Sequence, residues 1–234
     1  MERLNGDGRQ RLRTALLASA QALGVAVSER ETAQLLDFLA LMSRWNRTYN
    51  LTAIRDPASM LSHHIVDSLA VVEPLRRQRS LVPATTLLDV GSGGGLPGVV
   101  LAVMEPALAV TCIDAVGKKA AFIRQAAASL GTANLTAEHA RVEAFRGRVF
   151  DVVVSRAFAS LRDFVQSTRH LLSGGGVWMA MKGKLPEAEI AALASDIDVF
   201  HVEPLPVPDD VGERCLVWMR EQQPDQRLQL AADK

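Results

Sequence analysis

The fold is decided by residues 87–98, which read Leu-Leu-Asp-Val-Gly-Ser-Gly-Gly-Gly-Leu-Pro-Gly. The apolar run Leu87–Val90 has the composition of a buried strand and ends directly in the glycines. Glycine has no Cβ and accepts positive φ, so such a turn lets the backbone approach a ligand closely. Pro97 lacks an N–H donor and suits a first helical turn, where neighbouring N–H groups are free. These residues predict a strand, a ligand-binding turn and a helix.

Short β-branched runs alternate with amphipathic stretches around this turn. We predict strands at Thr86–Val90, Ala109–Ile113, Asn134–Ala137, Asp151–Val154, Gly176–Met181, Val199–Val202 and Leu216–Arg220. We predict helices at Pro97–Met104, Val116–Leu130, Arg162–Leu172 and Pro186–Ala194. The alternation predicts an α/β fold with a mostly parallel, seven-stranded, Rossmann-like sheet covered on both faces. The last two strands are joined only by the turn Pro204–Asp210, which predicts an antiparallel hairpin at the sheet edge.

The first 80 residues show a different pattern, without strands. Residues 8–23 carry leucines at one-sided helical spacing, and Ser28–Glu31 has the side chains of a capping box before a second periodic stretch. The segment Ser59–Arg79 predicts further helix. We therefore expect a helical extension at residues 1–80, the main domain at 81–221 and a polar C-terminal tail at 222–234.

Composition limits the class of protein. Hydrophobic residues make up 48% of the 234, and none of their runs approaches the ~20 residues that a membrane helix needs. The N-terminal segment is too charged for a secretory signal, so we expect a soluble, cytoplasmic protein. Cys112 and Cys215 lack the spacing of a zinc site or a disulfide framework, so we expect buried, reduced thiols and no metal.

The formal net charge is zero, so a nucleic-acid partner would have to be held by local basic patches. The candidates are three arginine clusters: Arg9, Arg11 and Arg13; Arg76, Arg77 and Arg79; Arg141, Arg146 and Arg148. A merely solvated surface is the alternative for each cluster.

The glycine turn also indicates which cofactor it binds. A dinucleotide-binding turn needs glycine at its sixth position, counted from Gly91, and Leu96 stands there. The pattern present is Asp-x-Gly-x-Gly-x-Gly, from Asp89 through Gly93 to Gly95. It resembles the first motif of class I S-adenosylmethionine-dependent methyltransferases, in which the acid orients the turn and the methionine end of the cofactor. A nicotinamide or flavin site and a purely structural turn remain as alternatives.

A second acid supports a nucleoside cofactor. Asp114 ends the next predicted strand, 25 positions after Asp89, where a carboxylate can accept both hydroxyls of a ribose. The alternative is that Asp114 only caps the following helix. No Walker lysine follows the turn, which disfavours nucleotide hydrolysis.

Several further motifs carry a family resemblance. They are Trp45-Asn46-x-x-x-Asn50-Leu51-Thr52-Ala53-Ile54, His64-Ile65-x-Asp67-Ser68-Leu69, Asp89–Gly98, Lys118-Lys119-x-x-Phe122, Arg141-Val142-Glu143 and Ser155-Arg156-Ala157. Together they resemble the glucose-inhibited division protein B family, bacterial methyltransferases that modify guanine N7 in small-subunit ribosomal RNA. The resemblance spans residues 35–185. It implies a class I methyltransferase domain behind an N-terminal helical extension, with S-adenosyl-L-methionine as cofactor and 16S ribosomal RNA as partner.

The resemblance also implies site residues. Cofactor contacts carry over to Gly91, Leu96, Val142, Glu143 and Arg156, and the turn's Asp89 and Gly93 join them. The family has glutamate more often where Asp114 stands, which makes its ribose role less secure.

Other residues are candidates for catalysis and substrate binding. His64 and Asp67 share an amphipathic stretch at a spacing that allows contact, although a packing histidine is the alternative. Arg156 serves the cofactor or a guanine edge, unless it forms a structural ion pair. The predicted substrate-binding residues are Asn46, Asn50, Lys118, Lys119 and Lys182, with Lys184 as a similar case. Helix-end capping by the asparagines and solvation of the lysines are the competing interpretations.

The chemistry implied needs little from the protein beyond alignment. Guanine N7 carries an in-plane lone pair and no proton, so its methylation needs no general base, and the sequence shows no obvious nucleophile–base pair. Three alternatives remain open: a methyltransferase acting on a small molecule or protein, a cofactor-binding module without activity, and a dehydrogenase.

Overall fold

A computed structural model describes residues 6–81, 85–156, 158–208 and 211–222 of the protein. The predicted polar tail lies outside these residues from position 223 onward. So do Ala157 of the family motif and the last two residues of the predicted turn Pro204–Asp210. Within the described ranges, no helix is both long and apolar enough to cross a membrane.

Helices precede and then alternate with strands. The α-helices are α1 (Gly6–Ala22), α2 (Glu29–Tyr49), α3 (Pro57–Met60), α4 (Asp67–Leu69), α5 (Val72–Leu81), α6 (Gly98–Met104), α7 (Gly117–Leu130), α8 (Leu161–Thr168) and α9 (Glu187–Ala191). The strands are β1 (Thr86–Val90), β2 (Ala109–Asp114), β3 (Leu135–His139), β4 (Phe150–Ser155), β5 (Leu172–Lys182), β6 (Ile197–Pro204) and β7 (Cys215–Glu221). The predicted strands and the α/β class are confirmed, with longer strands than predicted near the C-terminus.

The seven strands form one sheet in the order β3-β2-β1-β4-β5-β7-β6. The first five strands in the chain pair in parallel, while β7 runs antiparallel to both β5 and β6. The predicted edge hairpin is therefore confirmed. In the sheet, β1 lies between β2 and β4, so the chain order reverses direction at β1. Open α/β sheets bind ligands at such a switch point, outside the carboxyl ends of the strands.

The helical extension packs on one face of this sheet. Leu87 belongs to a core that includes α1, α2, α6 and α7, whereas Leu88 faces the opposite core beneath α8. The capping box at Ser28 is confirmed, since Glu31 N donates to Ser28 Oγ and Ser28 N donates to Glu31 Oε2. Phe38 of α2 stacks on Phe122 of α7 with ring centroids 6.0 Å apart. The extension and the sheet thus share one core.

The prediction of further helix at Ser59–Arg79 is confirmed, but the helix is not continuous. The chain forms α3, then a π-helix at Leu61–Val66, then the short α4, and α5 begins only at Val72. His63 Nδ1 lies 3.1 Å from the carbonyl oxygen of Ser59, which the α-helical ladder would otherwise use. Wide π turns occur frequently at functional sites, and this one carries His64.

Candidate active site

The glycine turn follows β1 at the carboxyl edge of the sheet. Gly91, Gly93 and Gly95 have φ of 67°, 57° and 80°, the left-handed region that favours glycine. Gly91 N donates to Ile113 O at 2.9 Å, which ties the turn to β2. At Gly95, a Cβ would come within 2.5 Å of Val99 Cγ2, so a side chain there would collide with α6. The turn therefore needs glycine for both conformation and space.

Asp89 holds the far end of this turn. Its Oδ2 accepts a hydrogen bond from Gly98 N at 2.8 Å, where α6 begins. The side chain is fully buried, and Oδ1 has no hydrogen-bond partner among the described residues. Burial raises the pKa of Asp89 to about 7, because a charged carboxylate is poorly solvated there. An unpaired buried acceptor beneath a ligand-binding turn fits a group that arrives with the ligand.

Asp114 holds the near end. Its Oδ2 accepts from Gly93 N at 2.9 Å, and its Oδ1 accepts from Val116 N at 2.8 Å, just before α7. Lys119 Nζ lies 3.7 Å from Oδ2. The carboxylate thus fastens the turn to the start of α7. The bond at α7 agrees with the capping alternative, whereas the bond to Gly93 was not predicted.

An open cavity of about 180 Å³ lies over the turn. One wall is the turn itself, and the other comes from the helical extension. The lining residues are Met42, Leu51, Thr52, His64, Gly91, Ser92, Gly93, Gly94, Leu96, Lys119 and Arg156. The structure therefore brings together six of the residues predicted from sequence, namely Gly91, Gly93, Leu96, His64, Lys119 and Arg156.

A hydrogen-bond network shapes the wall opposite the turn. Asn46 Oδ1 accepts from Thr52 N, and Asn46 Nδ2 donates to Ile54 O, both at 2.9 Å. Thr52 Oγ1 lies 2.9 Å from His64 Nε2. Asn46 is 5% exposed and does not line the cavity, so the structure shows no surface of this residue facing the substrate. Its amide oxygen and amide nitrogen both hold the loop in shape. Asn50 is exposed and ends α2 in a left-handed conformation.

His64 is the buried titratable group of this wall. Burial lowers its pKa to about 4, helped by the positive charge of Arg156, so its ring is neutral near pH 7. Its Nδ1 has no hydrogen-bond partner among the described residues. The ring of His64 makes no hydrogen bond to the Asp67 carboxylate, although the spacing allows one, and its Nε2 lies against Thr52 Oγ1.

Asp67 instead binds two arginines. Arg156 Nη1 donates to Asp67 Oδ2 at 3.1 Å, and Arg214 Nε donates to Asp67 Oδ1 at 2.9 Å. Arg156 Nη1 also donates to His63 O at 3.0 Å. Asp67 is only 1% exposed, while each arginine keeps about a quarter of its side chain in solvent. The structural ion pair that competed with a functional role for Arg156 is therefore present, and it leaves the guanidinium reachable.

A second cavity of about 360 Å³ adjoins the first through Arg156. It is lined by Asp67, Arg156, Met181, Lys182, Gly183 and Arg214. Lys182 Nζ bonds Glu189 Oε2 at 2.8 Å, and this cavity wall still holds three cations against one carboxylate. Such a wall suits an electron-rich or anionic ligand next to the glycine turn.

The remaining predicted site residues are not among those that line these two cavities. Lys118 is exposed at the start of α7, and Lys184 is exposed after β5. Val142 is buried and Glu143 exposed in a short 3-10 helix after β3. This helix follows the strand next to Asp114, since Ala140 N donates to Asp114 O.

In two of the three arginine clusters most arginines pair with acids, whereas Arg11 is exposed and pairs with no acid among the described residues. Arg9 and Arg13 pair with Asp37 and Glu29. The second cluster pairs as Arg76 with Glu73 and Glu105, Arg77 with Glu203 and Arg79 with Glu105. These clusters brace the fold, so they are poor candidates for a nucleic-acid surface. Cys112 and Cys215 are buried free thiols, as predicted.

Sequence reasoning missed Arg214, Met42 and Thr52 as individual site residues. Arg214 stands 147 positions after Asp67, and a single arginine ahead of an apolar strand carries no local signal. Met42 reads as an ordinary core position of α2, and only its packing over Gly94 brings it to the cavity.

Solved structures share this fold. The N-methyltransferase NodS from Bradyrhizobium japonicum superposes with a TM-score of 0.51 over 64% of this chain and 93% of its own, at 14% identity. TrmN from Thermus thermophilus gives a TM-score of 0.54 over 92% of this chain and 79% of its own, at 16% identity. Identities this low establish a class I methyltransferase fold alone.

Closer relatives identify the family. Proteins named ribosomal RNA small subunit methyltransferase G match from Leptothrix cholodnii, 57% identical over 89% of this chain and 95% of theirs, and from Methylibium petroleiphilum, 58% identical over 86% and 90%. The GidB family model, described as rRNA small subunit methyltransferase G, matches residues 31–217. This match includes α2, the glycine turn and Arg214, and the chain belongs to the GidB family.

Proposed function

We propose that the protein transfers a methyl group from S-adenosyl-L-methionine to N7 of a guanine in 16S ribosomal RNA. The names of its relatives support the ribosomal RNA substrate. The observation that carries the choice of acceptor atom is a cavity wall that is rich in cations and, among the residues the structure describes, has no free general base.

The residues present fit the cofactor. Two buried polar atoms at the site, Asp89 Oδ1 and His64 Nδ1, lack partners among the described residues, as expected where a polar ligand completes the bonding. Asp89 and the glycine turn would hold the methionine end, and Asp114 the ribose. Val142 and Glu143 would contact the nucleoside end. When bound, S-adenosyl-L-methionine supplies an electrophilic methyl group on a sulfonium.

The absence of a base follows from named contacts. Both oxygens of Asp67 are occupied by arginines, and the low pKa of His64 makes its ring a weak base. An acceptor that must lose a proton before attack would need such a base. Guanine N7 does not, so the protein's residues need only align the base with the methyl group, an effect worth ~7–11 kcal/mol in well-oriented cases.

The second cavity supplies the contacts for the base. Arginine donors match the acceptor edge of guanine, and Arg156 lies where the cofactor cavity meets the second cavity. Arg214 lies across Asp67 from it. We assign Arg156 and Arg214 to the purine and its neighbouring phosphate, and Asp67 to positioning both arginines.

The test is transfer of a tritium-labelled methyl group to ribosomal RNA. Purified protein is incubated with labelled S-adenosyl-L-methionine and either naked 16S RNA or small ribosomal subunits, and the labelled nucleotide is mapped. We expect label at N7 of a guanine in at least one of the two substrates. Label on another atom would refute the N7 assignment, and transfer only to small molecules or proteins would refute the RNA substrate.

Matched arginine variants sharpen this test. Arg214→Ala and Arg156→Ala should each lower methyl transfer by at least tenfold, whereas Arg220→Ala should not. Arg220 is a suitable control because it also pairs with an aspartate, Asp198, but at the sheet edge. Equal activity of all three variants would remove the two cavity arginines from the mechanism.

A further inference from the structure

Tyr49 presents an exposed aromatic ring at the end of α2. Tyr49 is the only tyrosine of the chain and ends α2, with 41% of its surface exposed. Its ring packs on one side against Trp45, with centroids 4.8 Å apart and planes inclined by 38°. A large aromatic side chain at the surface, supported from behind and open in front, has the form of a stacking platform.

The support behind Tyr49 is rigid. Trp45 Nε1 donates to Gln125 Oε1 at 3.0 Å, and the Trp45 ring meets Phe122 edge-on at 5.4 Å. Both partners belong to α7, and Phe122 is fully buried. The tyrosine ring is therefore held by a stack anchored in the core, which lowers the entropy lost when a ligand orders it.

Chain neighbours of Tyr49 and of its support line the cofactor cavity. Helices α2 and α7 run in opposite directions, since Gln34 contacts Leu130 at one end of their seam and Trp45 contacts Phe122 at the other. The next turn of α7 carries Lys119, which lines the cavity. Leu51 and Thr52, two and three residues after Tyr49, line it as well.

Exposed cations stand close to Tyr49 in the chain and next to the cavity-lining Lys119, and they differ from the paired arginines described above. Arg47, Arg55 and Lys118 are exposed, and none forms an ion pair with any described residue. The sequence from Arg44 to Arg55 contains no acid. The next residue, Asp56, caps α3 by accepting from Ser59 N. An aromatic face amid free cations matches a single-stranded nucleic acid, whose bases stack while its phosphates meet the cations.

We propose that Tyr49 stacks on an unpaired RNA base that flanks the guanine entering the cofactor cavity, while Arg47, Arg55 and Lys118 face the adjacent phosphates. This inference rests on the proposed RNA substrate. It assigns to the helical extension a contact with substrate, in addition to its contribution to the cavity wall.

The experiment compares Tyr49→Phe, which keeps the ring, with Tyr49→Leu, which keeps apolar bulk without an aromatic face. Methyl transfer to an RNA fragment around the mapped guanine is measured at varied RNA concentration. We expect Tyr49→Leu to raise the KM for RNA about five- to hundredfold, with little change in kcat, and Tyr49→Phe to resemble the parent. Calorimetry should show unchanged affinity for S-adenosyl-L-methionine in both. Val149→Ala, at another exposed apolar residue, is the control.

A second arm identifies the stacked base. Nucleotides beside the guanine are replaced one at a time by abasic ribose, and one replacement should remove the difference between the parent protein and Tyr49→Leu. The stacking proposal is overturned if no replacement does so, if Tyr49→Leu behaves like the parent, or if Tyr49→Phe is as impaired as Tyr49→Leu. In all three cases, methylation of RNA by the parent protein would still support the proposed function. If the parent protein did not methylate RNA, the proposed function itself would be refuted.

Discussion

The two walls of the cofactor cavity are built in opposite ways. The turn from Gly91 to Gly98 is held by two acids of neighbouring strands, Asp89 and Asp114, which accept from backbone N–H groups 9 and 21 positions away in the chain. The opposite wall is held by side chains that meet across the chain, as Asp67 meets Arg156 and Arg214 over 89 and 147 positions.

This difference has a physical consequence. A wall made of one strand, one turn and one helix depends on local backbone conformation. Substitutions of its glycines and of one buried acid should therefore affect it most. A wall made of distant side chains depends on the docking of the helical extension. Substitutions that remove one of its few polar contacts should therefore affect it most. Substitutions should therefore separate the two walls.

The largest effect should be a change in pH dependence at the turn. Asp89 has a native pKa of about 7 against 3.8 when unfolded, so between these values the native state holds a proton that the unfolded state has lost. The raised pKa therefore increases the parent's free energy of unfolding below pH 3.8, and this stabilisation is lost as the pH rises to 7. Relative to the parent, Asp89→Asn should become more stable by up to ~1.4 kcal/mol per pH unit from pH 4 to 7.

Urea unfolding of both proteins across that pH range measures this difference. His64 contributes with the opposite sign, because its native pKa is lowered to about 4 and its stabilisation is lost as pH falls. Its contribution is common to both proteins and cancels in the comparison. A difference independent of pH would show that Asp89 is already ionised in the folded protein.

On the opposite wall, Asp67→Ala should lower the unfolding free energy by roughly 3 kcal/mol, since it leaves two arginines without their buried partner. Methyl transfer should fall with it, even where the variant remains folded. The control is Asp198→Ala, which breaks a partly exposed pair with Arg220 and should cost about 0–1 kcal/mol. Similar losses for the two variants would contradict a special role for Asp67.

Within the turn, Gly98→Ala should destabilise the protein by about 2 kcal/mol through overpacking. An added Cβ would collide with Cys112 Sγ and lie 2.8 Å from Asp89 Oδ2, both on buried strands. Gly91→Ala is the matched comparison, because its Cβ would meet nothing within 4 Å and would cost only about 1 kcal/mol of strain at φ 67°. Thermal unfolding measures both, and a larger loss for Gly91→Ala would reverse the assigned order.

The smallest effect concerns the loop after α2. Asn46→Ala removes two hydrogen bonds, to Thr52 N and Ile54 O, and should cost about 1 kcal/mol while weakening affinity for S-adenosyl-L-methionine in calorimetry. Asn50→Gly should change neither quantity by more than a few tenths, because glycine accepts the left-handed conformation at this position. Unchanged cofactor affinity in Asn46→Ala would separate the loop from the cofactor site.

The sequence by itself determined the order of strands and helices, the glycine turn, the capping box of α2 and the identity of the buried acids Asp89 and Asp114. Each of these depends on residues close together in the chain: periodicity, glycine conformation and hydrogen bonds to nearby backbone. It also indicated His64 and Arg156 through a family resemblance rather than through a local rule.

Only the tertiary structure decided what the polar residues of the extension do. Spacing favoured a contact between the side chains of His64 and Asp67, but in the structure the two oxygens of Asp67 accept from Arg156 and Arg214. Asn46 bonds the loop at Thr52 and Ile54, and Tyr49 packs on Trp45 just before the cavity-lining Leu51 and Thr52. Side chains far apart in sequence meet only when helices dock on the sheet, and no periodicity within one segment encodes which of them will meet.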